Sequence, residues 1–317
     1  MSFTSLLNLL DKGIRADLLQ TSQDAAANPF RITSLAMSSL PSTARTESYG
    51  WLGQPAQLED MTNAPLVLSP LSETKYDLSN KTFGSSVGIT RDDLADDQVQ
   101  GFIMRARQLN QMGVYLGDKL GVDLLKNGTS STLGLCYDGV SFFNDSHPSR
   151  GSGAGSGVQD NLLAGTGTTV AQLATDLTSA LAGMLNLKAE NGAPFHMNAA
   201  AARFAIVCPV SLWLAFKDVL GAGLTGVISQ TSNVRFVDMP FVVIPSPELT
   251  DANDWYLLRT DTPVRPIFLQ EREPLSAEML GEGSDIWTKE RKALWVVYRR
   301  CVGGYAHWQN AVKVVNS

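Results

Sequence analysis

The side chains best suited to acid–base chemistry lie in the segment CYDGVSFFNDSHP, at positions 136–148, which contains Asp138, Asp145 and His147. A carboxylate that hydrogen-bonds a histidine can orient the ring as a general base. The GxSxG motif of a hydrolase nucleophile is absent, however, and Asp, Ser and His are also ordinary turn and capping residues. We therefore predict a structural role for this segment, and a cytosolic hydrolase using Asp145 and His147 stays as an alternative.

No metal or cofactor site is indicated by the spacing of potential ligands. The histidines are far apart and none has a cysteine nearby in sequence; they are His147, His196 and His307. The acidic run 92–97 could attract Mg²⁺ or Ca²⁺, but negative charge at a helix start explains it better. The Gly/Ser-rich stretch 149–167 has neither the GxxxxGK[ST] nor the GxGxxG spacing of a nucleotide site. The sequence thus predicts no catalytic residue, no metal and no cofactor.

The three cysteines are widely spaced and odd in number, which argues against a disulfide framework. They are Cys136, Cys208 and Cys301, each among apolar residues. We predict buried thiols in a reducing compartment. The first residues lack a basic region and a cleavage site, and no window is apolar enough to span a membrane.

A long helix is predicted from Thr90 to Lys126, roughly 45–55 Å at about 1.5 Å per residue. Thr90 is a plausible N-cap, and Asn127-Gly128 supplies the stop. Apolar residues recur at the three-and-four spacing of one buried stripe: Val99, Phe102, Ile103, Ala106, Leu109, Met112, Leu116, Leu120 and Leu124. Few compact enzymes are built around so long a helix.

Three glycines, Gly113, Gly117 and Gly121, lie four residues apart on a second face of that helix. Each lowers helix stability by about 1 kcal/mol relative to alanine. We expect another backbone to approach closely there, although tolerated small residues are the alternative. In the loop that follows, Asp138 opens a turn, and Tyr137, Phe142 and Phe143 are expected to pack beneath the helix.

The first 90 residues contain segments that are expected to need another surface to cover them. Residues 3–19 form an amphipathic stretch, and residues 21–48 resemble an extended arm with little periodicity. The helix either reaches a partner or folds back on its own core. An aromatic stretch at 49–53 and a short strand at 66–68 precede two strands, 74–78 and 82–90, joined by a turn at 79–81. Because an isolated hairpin is only marginally stable, we expect a neighbouring molecule to cover it.

The rest of the chain alternates helices and strands without a regular βαβ rhythm, so the predicted class is α+β. The predicted helices are 168–188 and 210–220, and the predicted strands are 204–207, 241–244, 255–259, 266–270 and 294–298. Gly303-Gly304 is expected to mark a turn or bulge.

The net charge is −6 and the pI near 5.1, which argues against a surface that wraps nucleic acid. One basic cluster is present: Lys289, Arg291, Lys292, Arg299 and Arg300. It could meet acidic groups of a neighbour or weakly face enclosed DNA, and a solvated face is the alternative. Without interleaved aromatic residues it does not read nucleic acid.

Five segments occur in the same order as in one known family. They are YGWLG (49–53), TKYDLSNKTF (74–83), TRDDLADDQ (90–98), CYDGVSFFNDSHP (136–148) and GGYAHWQNA (303–311). The chain resembles the major head subunit of Mu-like phages and prophages over roughly residues 30–313. The resemblance implies the Hong Kong 97-like capsid fold, with an N-terminal arm, an extended hairpin, a peripheral domain with a long spine helix, and an axial domain.

The resemblance also implies a division of the chain. Residues 1–48 would be the arm, 49–90 the hairpin, 91–203 the peripheral domain with the spine helix at 91–126, 204–282 the axial domain, and 283–317 a return to the peripheral domain. Contacts between subunits are expected at Trp51, Leu52, Tyr76, Phe83, Arg299 and Arg300.

The function implied is assembly rather than catalysis. Copies of the chain would form hexamers and pentamers of an icosahedral shell around double-stranded DNA, without sequence-specific binding. Scaffold or protease, portal and decoration proteins would be separate partners. The protein would assemble in the bacterial cytoplasm and reside in the virion. An encapsulin-type cellular compartment, which shares the fold, is a further alternative.

Overall fold

The computed structural model describes residues 3–52, 73–96, 98–147, 158–189, 194–196, 202–221 and 240–316. The helices in these ranges are α1 (Phe3–Ala27), α2 (Ile32–Leu35), α3 (Arg91–Ala95), α4 (Gln100–Asn127), α5 (Val170–Leu185), α6 (Val210–Val219) and α7 (Asp285–Glu290). The strands are β1 (Met37–Pro41), β2 (Thr46–Leu52), β3 (Glu73–Ser79), β4 (Lys81–Thr90), β5 (Leu162–Ala164), β6 (Phe204–Pro209), β7 (Phe241–Ser246), β8 (Trp255–Arg259), β9 (Ile267–Leu280), β10 (Lys292–Tyr305) and β11 (Ala311–Val315). The combination confirms the α+β class.

One sheet has the strand order β1-β9-β10-β4, with β1 parallel to β9 and the other pairs antiparallel. Helices α1 and α4 pack on it through a shared apolar cluster that includes Ile14, Phe102, Trp295 and Val297. Burial of this face is the main stabilising contribution to this part of the fold.

A second sheet has the order β5-β11-β8-β6-β7. Strand β6 is buried along its whole length, since Phe204 and Ile206 face helices α5 and α6 while Ala205 and Val207 face the main core. A strand covered on both faces reads as a continuous apolar run. The predicted strand at 204–207 is therefore confirmed.

The helices of this layer follow their local signals. Thr169 accepts a hydrogen bond from Gln172 N, and the Gln172 side chain bonds back to Thr169, which completes a capping box at the start of α5. Helix α6 begins directly after Pro209. Both predicted helices are confirmed to within a few residues.

The predicted single helix from Thr90 is wrong, because the structure has two helices with a break between them. Thr90 caps α3, accepting a hydrogen bond from Asp93 N at 3.1 Å, and α3 ends at Ala95. Aspartate is a weak helix former beyond the first turn, which favours ending the helix in this acidic run. The break places Leu94 and Val99 in the same apolar cluster. Helix α4 alone is about 42 Å long at 1.5 Å per residue.

The predicted buried stripe of α4 is also partly wrong. Met112 is 72% exposed, whereas Asn110, Gly117 and Gly121 are buried. Hydrophobic periodicity depends on apolar side chains alone, and the buried face of this helix also passes through glycines.

The predicted hairpin between 74–78 and 82–90 is wrong in its pairing. Strand β3 pairs with β2, whereas β4 leaves the turn and pairs along its whole length with β10. Strand β4 does alternate as predicted, with Phe83, Val87 and Ile89 turned inward. That apolar face is buried against the body, which explains why β4 joins the main sheet.

The N-terminal segment is folded onto its own subunit, so the prediction of an extended arm over 21–48 needs correction. Helix α1 runs on to Ala27, and Leu7, Leu10, Ile14 and Leu18 are buried in the cluster shared with α4. Strand β1 then extends the main sheet beside β9. The alternative of a helix packed on its own core is the one observed.

Gly303 and Gly304 lie inside β10 and form no turn. A Cβ at Gly304 would lie 2.6 Å from Phe268 Cζ, and one at Gly303 would lie 2.7 Å from Leu124 Cδ1. The pair thus permits close packing of β9 and α4. The register shifts of this strand occur instead between Tyr298 and Cys301.

Candidate assembly site

The predicted pairing of His147 with Asp145 does not form: His147 pairs with Asp138, and this pair is sealed inside the protein. His147 Nδ1 lies 2.7 Å from Asp138 Oδ2, and His147 Nε2 lies 3.1 Å from Asn161 Oδ1. The ring stacks on Trp308 with centroids 3.8 Å apart, and His147 has no exposed surface. Both ring nitrogens are engaged, so the pair ties the loop to the core.

Asp145 does not join this pair. Its carboxylate accepts a hydrogen bond from Ser146 Oγ at 2.9 Å on the surface. No group of three or more potential metal ligands is present among the residues that the structure describes. Asp97 of the acidic run lies outside those residues.

The aromatic side chains of the loop fill the space beneath α4. Phe142 stacks on Tyr305 with centroids 4.7 Å apart, and Phe143 lies 5.5 Å from Tyr256. Tyr137 is half-buried, with its hydroxyl 3.4 Å from Gln309 Oε1. The loop is therefore a core element that links α4 to both sheets.

Side chains from other elements pack directly onto the glycines of α4. A Cβ at Gly113 would lie 2.8 Å from Leu275 Cδ1, one at Gly117 2.8 Å from Thr33 Cγ2, and one at Gly121 2.7 Å from Ile32 Cγ2. The approaching atoms are side chains of the same subunit rather than another backbone.

A polar clamp holds the segment after α1 against the same helix. Asp118 accepts hydrogen bonds from Arg31 Nε at 2.6 Å and from the Thr33 backbone N–H at 2.9 Å. Arg31 also lies over the Tyr115 ring at 4.7 Å. The start of the chain is thereby fixed to the middle of α4 by a charge-assisted contact.

The β2–β3 hairpin is anchored to the body at its base. Tyr49 donates a hydrogen bond to Gln270 Oε1 at 2.9 Å and meets the Phe268 ring edge-on. Tyr76 accepts a long hydrogen bond from Tyr305 N at 3.4 Å, and burial raises the pKa of Tyr76 to about 12. Gln270 also donates to Asn80 Oδ1 at 2.8 Å. These contacts hold the hairpin against the body as far as the Tyr49–Tyr76 pair, and the strands continue from there to Leu52 and Glu73.

The remaining residues expected at subunit contacts are placed as follows. Phe83 is half-buried against the main core. Arg299 pairs with Glu271 at 2.6 Å and Arg300 with Glu273 at 3.4 Å, both within the subunit. The side chains of Trp51 and Leu52 lie outside the described residues.

Two further members of the basic cluster form ion pairs within the chain, Lys289 with Asp285 and Lys292 with Glu290. With Arg299 and Arg300, four of the five cations of the cluster have an acidic partner in the same subunit. The three cysteines are buried and free, as predicted. Among the described helices, none is both long and apolar enough to cross a bilayer.

Sequence reasoning missed several anchoring residues, namely Arg31, Asn110, Asp118, Asn161 and Gln270. Each is a polar residue without a motif around it. The sequence offered one signal for such a residue: Asn110 is polar but lies one turn after Ala106, on the buried face of the helix.

Two buried histidines predict how stability depends on pH. His196 Nδ1 accepts a hydrogen bond from Arg259 Nη1 at 2.7 Å, and burial followed by the Arg259 charge lowers the pKa of His196 to about 4. Burial also lowers the pKa of His307 to about 4. Both rings are neutral in the folded protein, but they gain protons below about pH 6.5 when unfolded.

We therefore expect the contribution of these two histidines to stability to be constant above pH 6.5 and to fall as the pH drops toward 4, because their rings bind protons only in the unfolded state in that window. The loss should reach about 2 kcal/mol per histidine near pH 5. Urea melts of the purified chain at pH 7 and pH 5 measure it. In His196→Gln the pH-dependent difference should shrink by about half, and an unchanged difference would contradict this assignment.

The architecture defines a class of protein. The structure is similar to the procapsid subunit of bacteriophage JBD30, with a TM-score of 0.53 and 22% sequence identity, covering 96% of this chain and 74% of that one. The shared fold is the Hong Kong 97-like fold of phage capsid shells.

The sequence profile of the Mu-like prophage major head subunit gpT matches residues 7–174 and 244–317, and the chain belongs to this family. It is 33% identical to the major capsid protein of Escherichia phage Mu over 107 residues, 34% of each chain. It is 29% identical to the FluMu major head subunit of Haemophilus influenzae over 123 residues, 39% of this chain and 38% of that one. The alignments thus span little more than a third of these relatives.

Family membership bears on two alternatives to a phage head subunit. Members of the family are structural head subunits, so the alternative of a hydrolase using Asp145 and His147 is wrong. Membership also favours a phage head over a cellular compartment that shares the fold.

Proposed function

We propose that this chain self-assembles into hexamers and pentamers that close an icosahedral shell around double-stranded DNA, as the major capsid protein of a Mu-like phage or prophage. The observation that supports the proposal is a pair of surfaces, a two-stranded ribbon and an exposed apolar groove, that a second copy of the chain would cover.

The first such surface is the β2–β3 hairpin. It forms a two-stranded sheet of its own, paired from Thr46–Ser79 to Leu52–Glu73, and the contacts with the body described above extend as far as the Tyr49–Tyr76 pair. Two-stranded ribbons are marginally stable alone in water. A neighbouring copy would stabilise the outer part of this one.

The second surface is an apolar groove between α4 and the strands β4 and β10, with a volume of about 380 Å³. Met112, Tyr115 and Tyr298 line it and are 72%, 38% and 37% exposed. Contiguous exposed apolar surface of this kind marks protein interaction sites.

The charge distribution is compatible with a shell that encloses DNA without binding it tightly. The chain carries a net charge of −6, and the cations of its basic cluster that form the pairs described above are neutralised. A shell lined by such subunits would enclose DNA without gripping it, because tight backbone binding requires free lysine and arginine.

We propose a division of the chain in which the arm is the N-terminal segment that folds onto its own subunit. We assign residues 1–48 to the arm, 49–90 to the hairpin, 91–203 to the peripheral domain, 204–282 to the axial domain and 283–317 to the return into the peripheral domain. In this assignment β4 is the strand that joins the hairpin to the peripheral sheet. Scaffold or protease, portal and decoration proteins would be separate chains, and assembly would take place in the host cytoplasm.

Sedimentation velocity and negative-stain electron microscopy of the purified chain test the proposal. We expect capsomers, shells or tubes. Met112→Asp should strongly reduce assembly while leaving the fold intact, since the side chain is exposed. Leu133→Asp, the same kind of change at a position 68% exposed outside the groove, is the matched control and should assemble normally. A strictly monomeric wild-type chain at high concentration would overturn the proposal.

A further inference from the structure

The buried loop carries an unusual arrangement around Asn161. Its Nδ2 lies 2.8 Å from the Phe142 carbonyl, 3.2 Å from that of Ala311 and 3.3 Å from that of Trp308. Its Oδ1 accepts a hydrogen bond from the Asn144 backbone N–H at 2.9 Å. Turning the amide over would set an oxygen against three carbonyls and an NH₂ group against an N–H. The hydrogen-bond network therefore fixes the orientation of Asn161.

This orientation determines where the hydrogens of His147 lie. An amide oxygen only accepts, so His147 Nε2, 3.1 Å from Asn161 Oδ1, must carry a hydrogen. The other ring nitrogen, Nδ1, faces Asp138 Oδ2 at 2.7 Å, the distance of a charge-assisted bond.

We propose that His147 is a buried imidazolium paired with the Asp138 carboxylate, and that this ion pair is a proton-held latch. It closes the loop 135–147 onto the segment 158–164 and onto the 3₁₀ turn Trp308–Asn310. Loss of a proton from the pair to solvent opens the latch, because a ring lone pair then faces Asn161 Oδ1 or Asp138 Oδ2 with no hydrogen between them. A proton that only moves from Nδ1 to the Asp138 carboxylate keeps that hydrogen bond in place.

The surroundings suit a positive charge on the ring. Trp308 stacks on it at 3.8 Å with an interplanar angle of 6°, a favourable position for a cation over an aromatic face. A buried ion pair is retained when its remaining hydrogen-bonding groups are satisfied, and every ring hydrogen is used here.

The neighbouring titratable groups do not compete for this role. Cys136 stays a neutral thiol because burial, and then the Asp138 charge, raises its pKa well above the usual value. His307 on the turn stays neutral, since burial lowers its pKa to about 4. The Lys313 ammonium of the adjacent strand is paired with Asp254 at 2.8 Å.

The chain has only three histidines, which makes the latch directly observable. The purified full chain, labelled with ¹⁵N in the histidine rings and sedimented, is examined by solid-state NMR at about pH 7.5, where a free histidine is neutral. We expect one doubly protonated ring and two neutral rings. This readout does not depend on whether the chain forms closed shells.

Substitutions assign the signal. His147→Gln should remove the doubly protonated ring, whereas His307→Gln and His196→Gln should each remove a neutral ring and retain it. The last two variants assign the signal by elimination even when His147→Gln does not fold. Three neutral rings in the wild-type chain, or a doubly protonated ring that survives in His147→Gln, would overturn the proposal.

Discussion

Leucine in place of Gly121 is expected to destabilise the folded subunit by at least about 3 kcal/mol. Even a Cβ at this position would lie 2.7 Å from Ile32 Cγ2 and 3.1 Å from Met37 Sδ. Ile32 is buried and β-branched, so it has little freedom to move away. The larger side chain would force α2 and β1 off the helix.

Gly101 on the same helix provides the control. Nothing lies within 4 Å of a Cβ built there, so Gly101→Leu should be neutral or stabilising by up to about 1 kcal/mol through helix propensity. Urea unfolding of both variants measures the difference. Equal effects of the two substitutions would show that the glycine face is not a packing surface.

The substitution Asn110→Asp is expected to cost about 3 kcal/mol or more, although the two side chains have the same shape. Asn110 is fully buried between three elements: its Nδ2 donates to the Ile14 carbonyl at 3.1 Å, and its Oδ1 accepts from Trp295 Nε1 at 2.9 Å. A carboxylate would lose the donor to Ile14 and bury an unpaired charge.

The exposed neighbour Gln111 offers a matched change from amide to acid. Gln111→Glu should alter stability by no more than about 0.5 kcal/mol. Melts at pH 7 and pH 5 add a second check, since protonation of the new carboxyl should make the difference in stability between Asn110→Asp and the wild-type chain smaller at pH 5. A loss of less than about 1 kcal/mol at pH 7 would contradict the proposed role of Asn110 in joining α1, α4 and β10.

Local signals predicted the elements whose formation depends on local chemistry. The cap at Thr169, the boundary at Pro209 and the continuous apolar run of β6 each identify one element without reference to the rest of the chain. The pairing of β4 with β10 and of β1 with β9 joins residues about two hundred or more positions apart. Local periodicity carries no information on such partners.

The loop 135–147 shows the same limit at the candidate site. The sequence placed Asp138 and His147 close together, and the structure does pair them. The role of this pair depends on its burial and on the hydrogen bond between His147 and Asn161. Both depend on the packing of the turn around Trp308 onto the loop. The glycines of α4 were noticed because each weakens an isolated helix, but the side chains that fill their faces come from distant segments.

The proposal that neighbouring copies complete this subunit is tested most directly by a cryo-electron microscopy reconstruction of the assembled particle. We expect adjacent subunits to cover the β2–β3 hairpin and the groove beside Met112, burying surface that is exposed in the single chain. A particle in which both surfaces stay open to solvent, or a preparation containing only monomers, would contradict it.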